Sequence, residues 1–344
     1  MTSQPSRRDF LRGSATGGRP DESQETASSE AAPCLVHVSR PAMACEFEIC
    51  LPAAQMGAGT EIALEALDQV ERLEEQMSVF RPESEISRIN RLAALRPVEV
   101  EPRLFEVLEL AMRLYRETQG AYDITSGPLW EVWGFARRAG AIPSDVQLAE
   151  ARGRVGGHLI ELDPQQKTVR FLRPGVQLNL GSIGKGYAVD CCAERLRTGG
   201  IGEFLIHGGQ SSAAAAGRKW TVGLRDPLHP ARRLAELRLC DRALGTSGAQ
   251  FQSFRHRGRR FGHILDPRTG WPAEGVLSAT VLAPTATLAD GLSTAFYVMG
   301  PETAGAYCQE HPELAAVLFT PTQGGRGWEM HTFGAGKALG NLPQ

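Results

Sequence analysis

Hydrophobic and polar positions alternate along most of residues 35–51, with a break near 41–44, and a period of two predicts strand. The period then lengthens. Between Glu61 and Met77 the apolar residues Ala63, Ala66, Leu67, Val70, Leu73 and Met77 share one face at helical spacing. Pro102 opens a second helix with the stripe Leu104, Leu108, Met112 and Tyr115, and Gly120 stands where a C-cap belongs. A Gly-rich turn leads into a helix over 185–196. Short strands are predicted at 204–207, 220–224, 234–239 and 276–282, then helices over 287–299 and 302–309 and a strand at 314–319. Helices and strands do not alternate regularly, which predicts an α+β fold over a doubly wound sheet. No repeat or internal linker divides 34–335, so one compact unit is expected there, behind a polar tail over 1–33.

Composition narrows the classes. The 344 residues carry a net charge of −2, from 37 basic and 39 acidic side chains spread along the chain. Nothing in that balance points to nucleic acid or an anionic membrane as partner. No apolar run approaches the ~20 residues of a membrane span, so no transmembrane span is expected. The seven cysteines form no C-x-x-C pair, which gives zinc and thioredoxin-like chemistry no support from spacing and leans toward a reducing compartment. The N-terminus pulls the other way. Ser6-Arg7-Arg8-Asp9-Phe10-Leu11-Arg12 reads like a twin-arginine export start, yet residues 13–32 lack the apolar stretch such a signal needs. Envelope and cytoplasm both stand open.

Four stretches carry chemistry. In Leu288-Ala289-Asp290-Gly291-Leu292-Ser293-Thr294, Asp290 and Thr294 are four apart on a predicted helix. A carboxylate and a hydroxyl on one face are hard donors suited to Mg²⁺, although a first-turn Asp also suits the helix dipole alone. Asn179-Leu180-Gly181-Ser182-Ile183-Gly184-Lys185-Gly186 is a strand, Gly-rich turn, Lys and helix, an arrangement that aims backbone N–H groups at a phosphate. It is not a P-loop, since Asn179 and Gly186 break that pattern. His263-Ile264-Leu265-Asp266-Pro267-Arg268-Thr269-Gly270 is a turn signal carrying a histidine fit for general-base work. Gly120-Ala121-Tyr122-Asp123-Ile124-Thr125-Ser126-Gly127-Pro128 is a loop able to hold a ring system or simply to turn.

Joined in this order, these segments resemble the ApbE family of FAD:protein FMN transferases. The likeness runs from about Val36 to Phe319. It includes Met43 in Pro-Ala-Met-Ala-Cys, the run from Met77 to Asn90, Trp133-Gly134-Phe135, Gly208-Gly209 and Thr246-Ser247-Gly248. The resemblance implies an α+β, T-fold-like arrangement of mixed sheets packed with helices, with FAD as substrate, Mg²⁺ as cofactor and an acceptor protein bearing a Ser/Thr motif as partner. It implies that Met43, Phe80, Ala121, Tyr122, Asp123, Asn179, Lys185 and Leu265 line the FAD site. Asp290 and Thr294, with Ser293 beside them and the Ser182 carbonyl, would hold the metal, and His263 or Asp266 would take a proton. Three residues depart from the family pattern: Asn179 for the usual Asp, Ser182 for Ala, and Gln210 for Glu. The same site would also suit a Mg²⁺-dependent FAD pyrophosphatase or a flavin-binding protein without turnover.

Overall fold

The alternating segment at 35–51 folds as a hairpin of β1 (Leu35–Ala42) and β2 (Cys45–Pro52), whose register leaves Met43 and Ala44 as a two-residue turn. Both turn residues have positive φ, 50° and 57°, the mirror-image turn that suits strand twist but usually selects Asn and Gly. The Met43 N–H is tied to Glu74 Oε2 at 2.8 Å, which helps hold this costly conformation. The computed structural model describes residues 34–248, 252–324 and 327–334. The expected tail over 1–33, with its twin-arginine-like start, lies outside them.

The predicted stripe becomes α1 (Ala58–Met77), which buries Ala63, Ala66, Leu67, Val70, Leu73 and Met77. Next comes α2 (Glu85–Leu92), opened by the Ser84 hydroxyl accepting from the Ser87 N–H, then β3 (Val98–Glu99) and α3 (Pro102–Glu117). Gly120 lies two residues past the α3 cap, Thr118, in the left-handed turn that reverses the chain. Then follow α4 (Gly127–Val132), α5 (Asp145–Arg152), β4 (Ile160–Asp163) and β5 (Thr168–Phe171), the last two joining β3 in a small sheet.

The rest of the chain builds the main sheet and its central helices. In order come α6 (Gly184–Thr198), β6 (Phe204–Gly208), β7 (Ser212–Ala216), β8 (Trp220–Arg225), β9 (Arg233–Leu239) and β10 (Arg242–Ser247). After β11 (Ser253–His256) and β12 (Arg259–Gly262) come β13 (Ser278–Ala283), α7 (Ala286–Met299), α8 (Pro301–Glu310), β14 (Ala315–Pro321) and β15 (Trp328–Gly334). Eight strands pair antiparallel in the order β1-β2-β6-β7-β10-β13-β14-β15. One face carries the helices over a core that includes Phe47, Ile49, Ala214, Ala216 and Phe296. The other is covered by the β8–β9 ribbon, whose Trp220, Leu224 and Leu237 pack on Cys50, Leu205, Ala215 and Phe319. An antiparallel sheet with helices gathered on one face is the α+β class that the irregular order of elements predicted. A third cluster, of Leu129, Trp133, Phe135, Phe261 and Leu265, joins α4 and α5 to the β11–β12 hairpin.

α7 is the element that matters for chemistry. It is buried nearly all round, so its polar residues Asp290 and Ser293 lie inside the protein, at 5% and 1% exposure. Two glycines let its neighbours approach at backbone distance. A Cβ on Gly186 of α6 would stand 2.2 Å from the Ala286 carbonyl oxygen, and one on Gly245 of β10 would stand 2.4 Å from the Ala289 carbonyl carbon. Asp190 of α6 then caps α7 from outside, accepting from the Ala286 and Thr287 N–H groups at 2.8 Å each.

Candidate active site

The close approach at Gly186 points its N–H at Asp290 Oδ2, 2.7 Å away. From β7, the Ser212 hydroxyl donates to the same carboxylate, 2.7 Å from Oδ1 and 2.9 Å from Oδ2. Burial pushes the Asp290 carboxyl up to about 7, with Asp190 adding to the rise, while the Lys185 charge and the Ser212 and Gly186 hydrogen bonds oppose it. One turn along the same side lies a group of hydroxyls. Ser247 Oγ of β10 is 2.9 Å from Ser293 Oγ and 3.0 Å from Thr294 Oγ1. Ser293 also donates to the Asp290 carbonyl at 2.9 Å. Asp290, Ser293 and Thr294, read from the sequence as one set, therefore do share a neighbourhood. Ser182, in the turn before α6, is half-buried, with its hydroxyl 3.3 Å from the buried Tyr122 hydroxyl.

Lys185 links this cluster to its surroundings. Its ammonium donates to Ser211 Oγ and acts electrostatically on Asp290, Cys45 and His263. His263 sits in the third core cluster's rim, edge-on to Trp130 with ring centroids 5.9 Å apart. Its Nδ1 is 3.0 Å from the Gln252 carbonyl oxygen. A carbonyl only accepts, so the proton belongs on Nδ1 and Nε2 keeps its lone pair in the neutral ring. Burial, reinforced by the Lys185 charge, lowers the His263 pKa against the upward pull of the Gln252 bond. Asp266 is otherwise engaged. Its carboxylate makes a bidentate pair with Arg268, with Nε and Nη2 each 2.9 Å away, and also accepts from the Arg268 N–H. Leu265 is buried in the aromatic lobe and bridges to Pro272.

The other residues expected at the flavin surround this centre unevenly. Met43 occupies the β1–β2 turn beside the end of α1, and Phe80 follows that helix with its side chain 71% exposed, an aromatic face open for stacking. Ala121, Tyr122 and Asp123 are buried. The Asp123 carboxylate accepts from the Thr125 N–H at 2.7 Å and the Thr125 hydroxyl at 2.6 Å within its own loop, and from the Gly157 N–H before β4 at 3.1 Å. Asn179 folds back in a small turn, its Oδ1 accepting from the Gly181 N–H at 2.9 Å. Gln210, by contrast, reaches outward to Arg225 at 2.6 Å. Ser211, Ser212, Ser247 and Trp130 hold the site together, yet no motif reading of the sequence assigned them a role. Ser212 and Asp290 are 78 residues apart, and only the β7–β10 register together with the seating of α7 brings them into contact.

The chain is similar to known proteins in both sequence and fold. The chain is 35% identical over 262 residues to the FAD:protein FMN transferase of Haemophilus influenzae, covering 73% of this chain and 75% of that protein. It is 32% identical over 299 residues to the protein of the same name from Vibrio cholerae, covering 84% and 89% respectively. Among solved structures, the flavin transferase ApbE from Vibrio cholerae matches with a TM-score of 0.78 at 27% identity, over 90% of this chain and 100% of that one. The apo form of the Pseudomonas stutzeri flavinyl transferase ApbE matches with a TM-score of 0.80 at 26% identity, over 90% and 98%. The ApbE family model itself spans residues 43–318, from the strained Met43 turn through α7 and into β14, and the chain belongs to the ApbE family.

Proposed function

We propose that this protein is a flavin transferase that moves FMN from FAD to a Ser or Thr hydroxyl of an acceptor protein and releases AMP, with Mg²⁺ held at Asp290. The observation that carries the reading is the buried Asp290 carboxylate, one turn from the Ser247–Ser293–Thr294 hydroxyls and within the field of Lys185. The donor set fits the ion. It is all oxygen, as Mg²⁺ prefers, and a carboxyl raised to about 7 by burial gains most from a cation beside it. Asp290 and Thr294 would hold it, with Ser293 and the Ser182 carbonyl as further oxygen donors. When bound, the ion supplies neutralisation of the pyrophosphate charge that develops as the bond to AMP breaks.

The chain's own groups do the rest. Lys185 attracts and orients the pyrophosphate as a point charge. Phe80 offers a face for the flavin nucleotide. The acceptor hydroxyl oxygen forms a bond to the FMN-side phosphorus while the bridging P–O bond breaks and AMP departs with the bridging oxygen. His263 Nε2 receives the hydroxyl proton, since its ring is held neutral by burial and fixed in the required tautomer by Gln252. The engagement of Asp266 by Arg268 leaves His263 the better placed of the two candidate bases. The test is an intact mass of a flavin-carrier acceptor domain after incubation with the protein, FAD and Mg²⁺. A gain of one FMN, lost in Asp290→Ala, is expected. FMN and AMP with an unmodified acceptor would replace this reading with a pyrophosphatase, and intact FAD would replace it with a binding protein.

A further inference from the structure

The face of the main sheet turned away from the helices carries a second set of donors. Alternation along β2 sends Phe47, Ile49 and Leu51 into the helix-side core and Glu48 and Cys50 to the opposite side. His37 of β1 is the direct cross-strand partner of Cys50, and Glu48 lies two residues before Cys50. Their ligand atoms converge. Cys50 Sγ is 3.4 Å from His37 Nδ1 and 3.1 Å from Glu48 Oε1, and His37 Nδ1 is 2.5 Å from Glu48 Oε1. Cys50 is 3% exposed, whereas the His37 and Glu48 side chains are 56% and 35% exposed, so the sulfur forms the floor of a site open to solvent.

We propose that His37, Glu48 and Cys50 form a Zn²⁺ site, separate from the Asp290 centre and independent of the activity assigned there. The donor set decides the ion. One imidazole nitrogen, one carboxylate oxygen and one thiolate suit a borderline-soft cation and are poor company for Mg²⁺. Tetrahedral zinc with ordinary bond lengths places ligand atoms about 3.3–3.6 Å apart. The two edges to sulfur are already near that length, and the His37–Glu48 edge has to open by about 1 Å, which the partly exposed Glu48 side chain allows. Binding displaces the Cys50 thiol proton to solvent, so thiolate and carboxylate together balance the charge of the ion. His207, the register partner of Glu48 on β6, faces the same side and is the next donor along the sheet. The absence of any C-x-x-C spacing does not bear on this site, because its ligands come from paired strands and meet through register.

The test uses the full-length protein, reduced and stripped of metal, titrated with Co²⁺ as an optical probe for zinc. The expected result is a thiolate-to-cobalt charge-transfer band that saturates at one ion per chain, is bleached by Zn²⁺, and is lost in both Cys50→Ser and His37→Gln. His37 is exposed, so its substitution leaves the core intact, and far-ultraviolet circular dichroism confirms folding of each variant. No band in the wild-type protein, or a band that survives either substitution, would overturn the site. Survival of the band in Cys50→Ser would assign the signal to another cysteine, such as the exposed Cys34 or Cys240.

Discussion

Ser212→Ala isolates the electrostatics of the proposed metal centre. Ser212 is buried at 2% exposure and donates its one hydroxyl proton to the Asp290 carboxylate. A hydrogen bond to a charged acceptor is worth about 1.5–3 kcal/mol, and it favours the ionised form. At about 1.4 kcal/mol per pKa unit, its loss raises the Asp290 carboxyl by roughly one to two units above its present value near 7. The sign follows directly. At pH 7 the variant's carboxyl is mostly protonated, and Mg²⁺ has to displace that proton, so half-saturating Mg²⁺ for FMN transfer rises about 5- to 50-fold. At pH 9 the wild-type carboxyl is ionised and the variant's is about half-ionised or more, so the defect shrinks to about twofold or less. The assay is acceptor flavinylation as a function of Mg²⁺ at the two pH values. Equal Mg²⁺ dependence at pH 7 would refute the argument. A defect of the same size at pH 9 would refute its electrostatic form.

Gly186→Ala tests the close approach that delivers the Gly186 N–H to Asp290. Its Cβ would lie 2.2 Å from a backbone oxygen that no rotamer change can move, so α6 and α7 have to part by about 1 Å. The expected cost is about 1–3 kcal/mol in thermal denaturation, with transfer falling on the order of 100-fold through the displaced carboxylate. Gly184→Ala, whose Cβ would meet Met77 at 3.6 Å and Leu180 at 3.9 Å, both ordinary contacts, should keep wild-type stability. Turnover at saturating Mg²⁺ should rise with pH through a midpoint below the usual histidine value of about 6.5, because burial lowers His263 and only its neutral ring accepts a proton. His263→Gln should abolish that limb and slow transfer about 10²- to 10⁴-fold while FAD binding persists. A wild-type rate in that variant would remove His263 from the reaction.

What the chain reveals before folding is uneven, and the reasons are physical. Strong periodicity marked α1 and α3 within a few residues of their observed ends, because each buries one apolar stripe, whereas α7, buried nearly all round, was marked by its apolar run. β7 carried no such signal. Its Ser-Ala-Ala-Ala-Ala run reads as indifferent to strand, yet it lies mid-sheet, where small side chains on both faces admit α7 on one side and the β8–β9 ribbon on the other. β10 was missed for a related reason, since Gly245 interrupts its alternation to let the Ala289 backbone in. Asp290 and Thr294 were legible because four residues along a helix is a local distance. Ser212 and Ser247, which complete their surroundings, come from other elements, and register over such separations is written in no local pattern. Asp266 shows the converse. Its turn chemistry was plain from Asp-Pro-Arg-Thr-Gly, but the same turn explains why its carboxylate is occupied by Arg268.

The pleat of β2 also sorts the chemistry of the molecule. Cys45 packs against the helix-side core, within the electrostatic reach of Lys185 and Asp290, where burial raises its thiol and leaves oxygen donors in charge of the site. Cys50, of opposite parity, faces the second core and meets an imidazole and a carboxylate. An odd spacing of five residues along one strand thus separates a hard, all-oxygen set from a mixed nitrogen, oxygen and sulfur set by the thickness of the sheet. The two sets share no side chain, and their donors prefer different ions. Mg²⁺-dependent transfer and the cobalt thiolate band should therefore fail independently. His37→Gln should silence the band while acceptor flavinylation proceeds at the wild-type rate, and Asp290→Ala should stop flavinylation while the band remains.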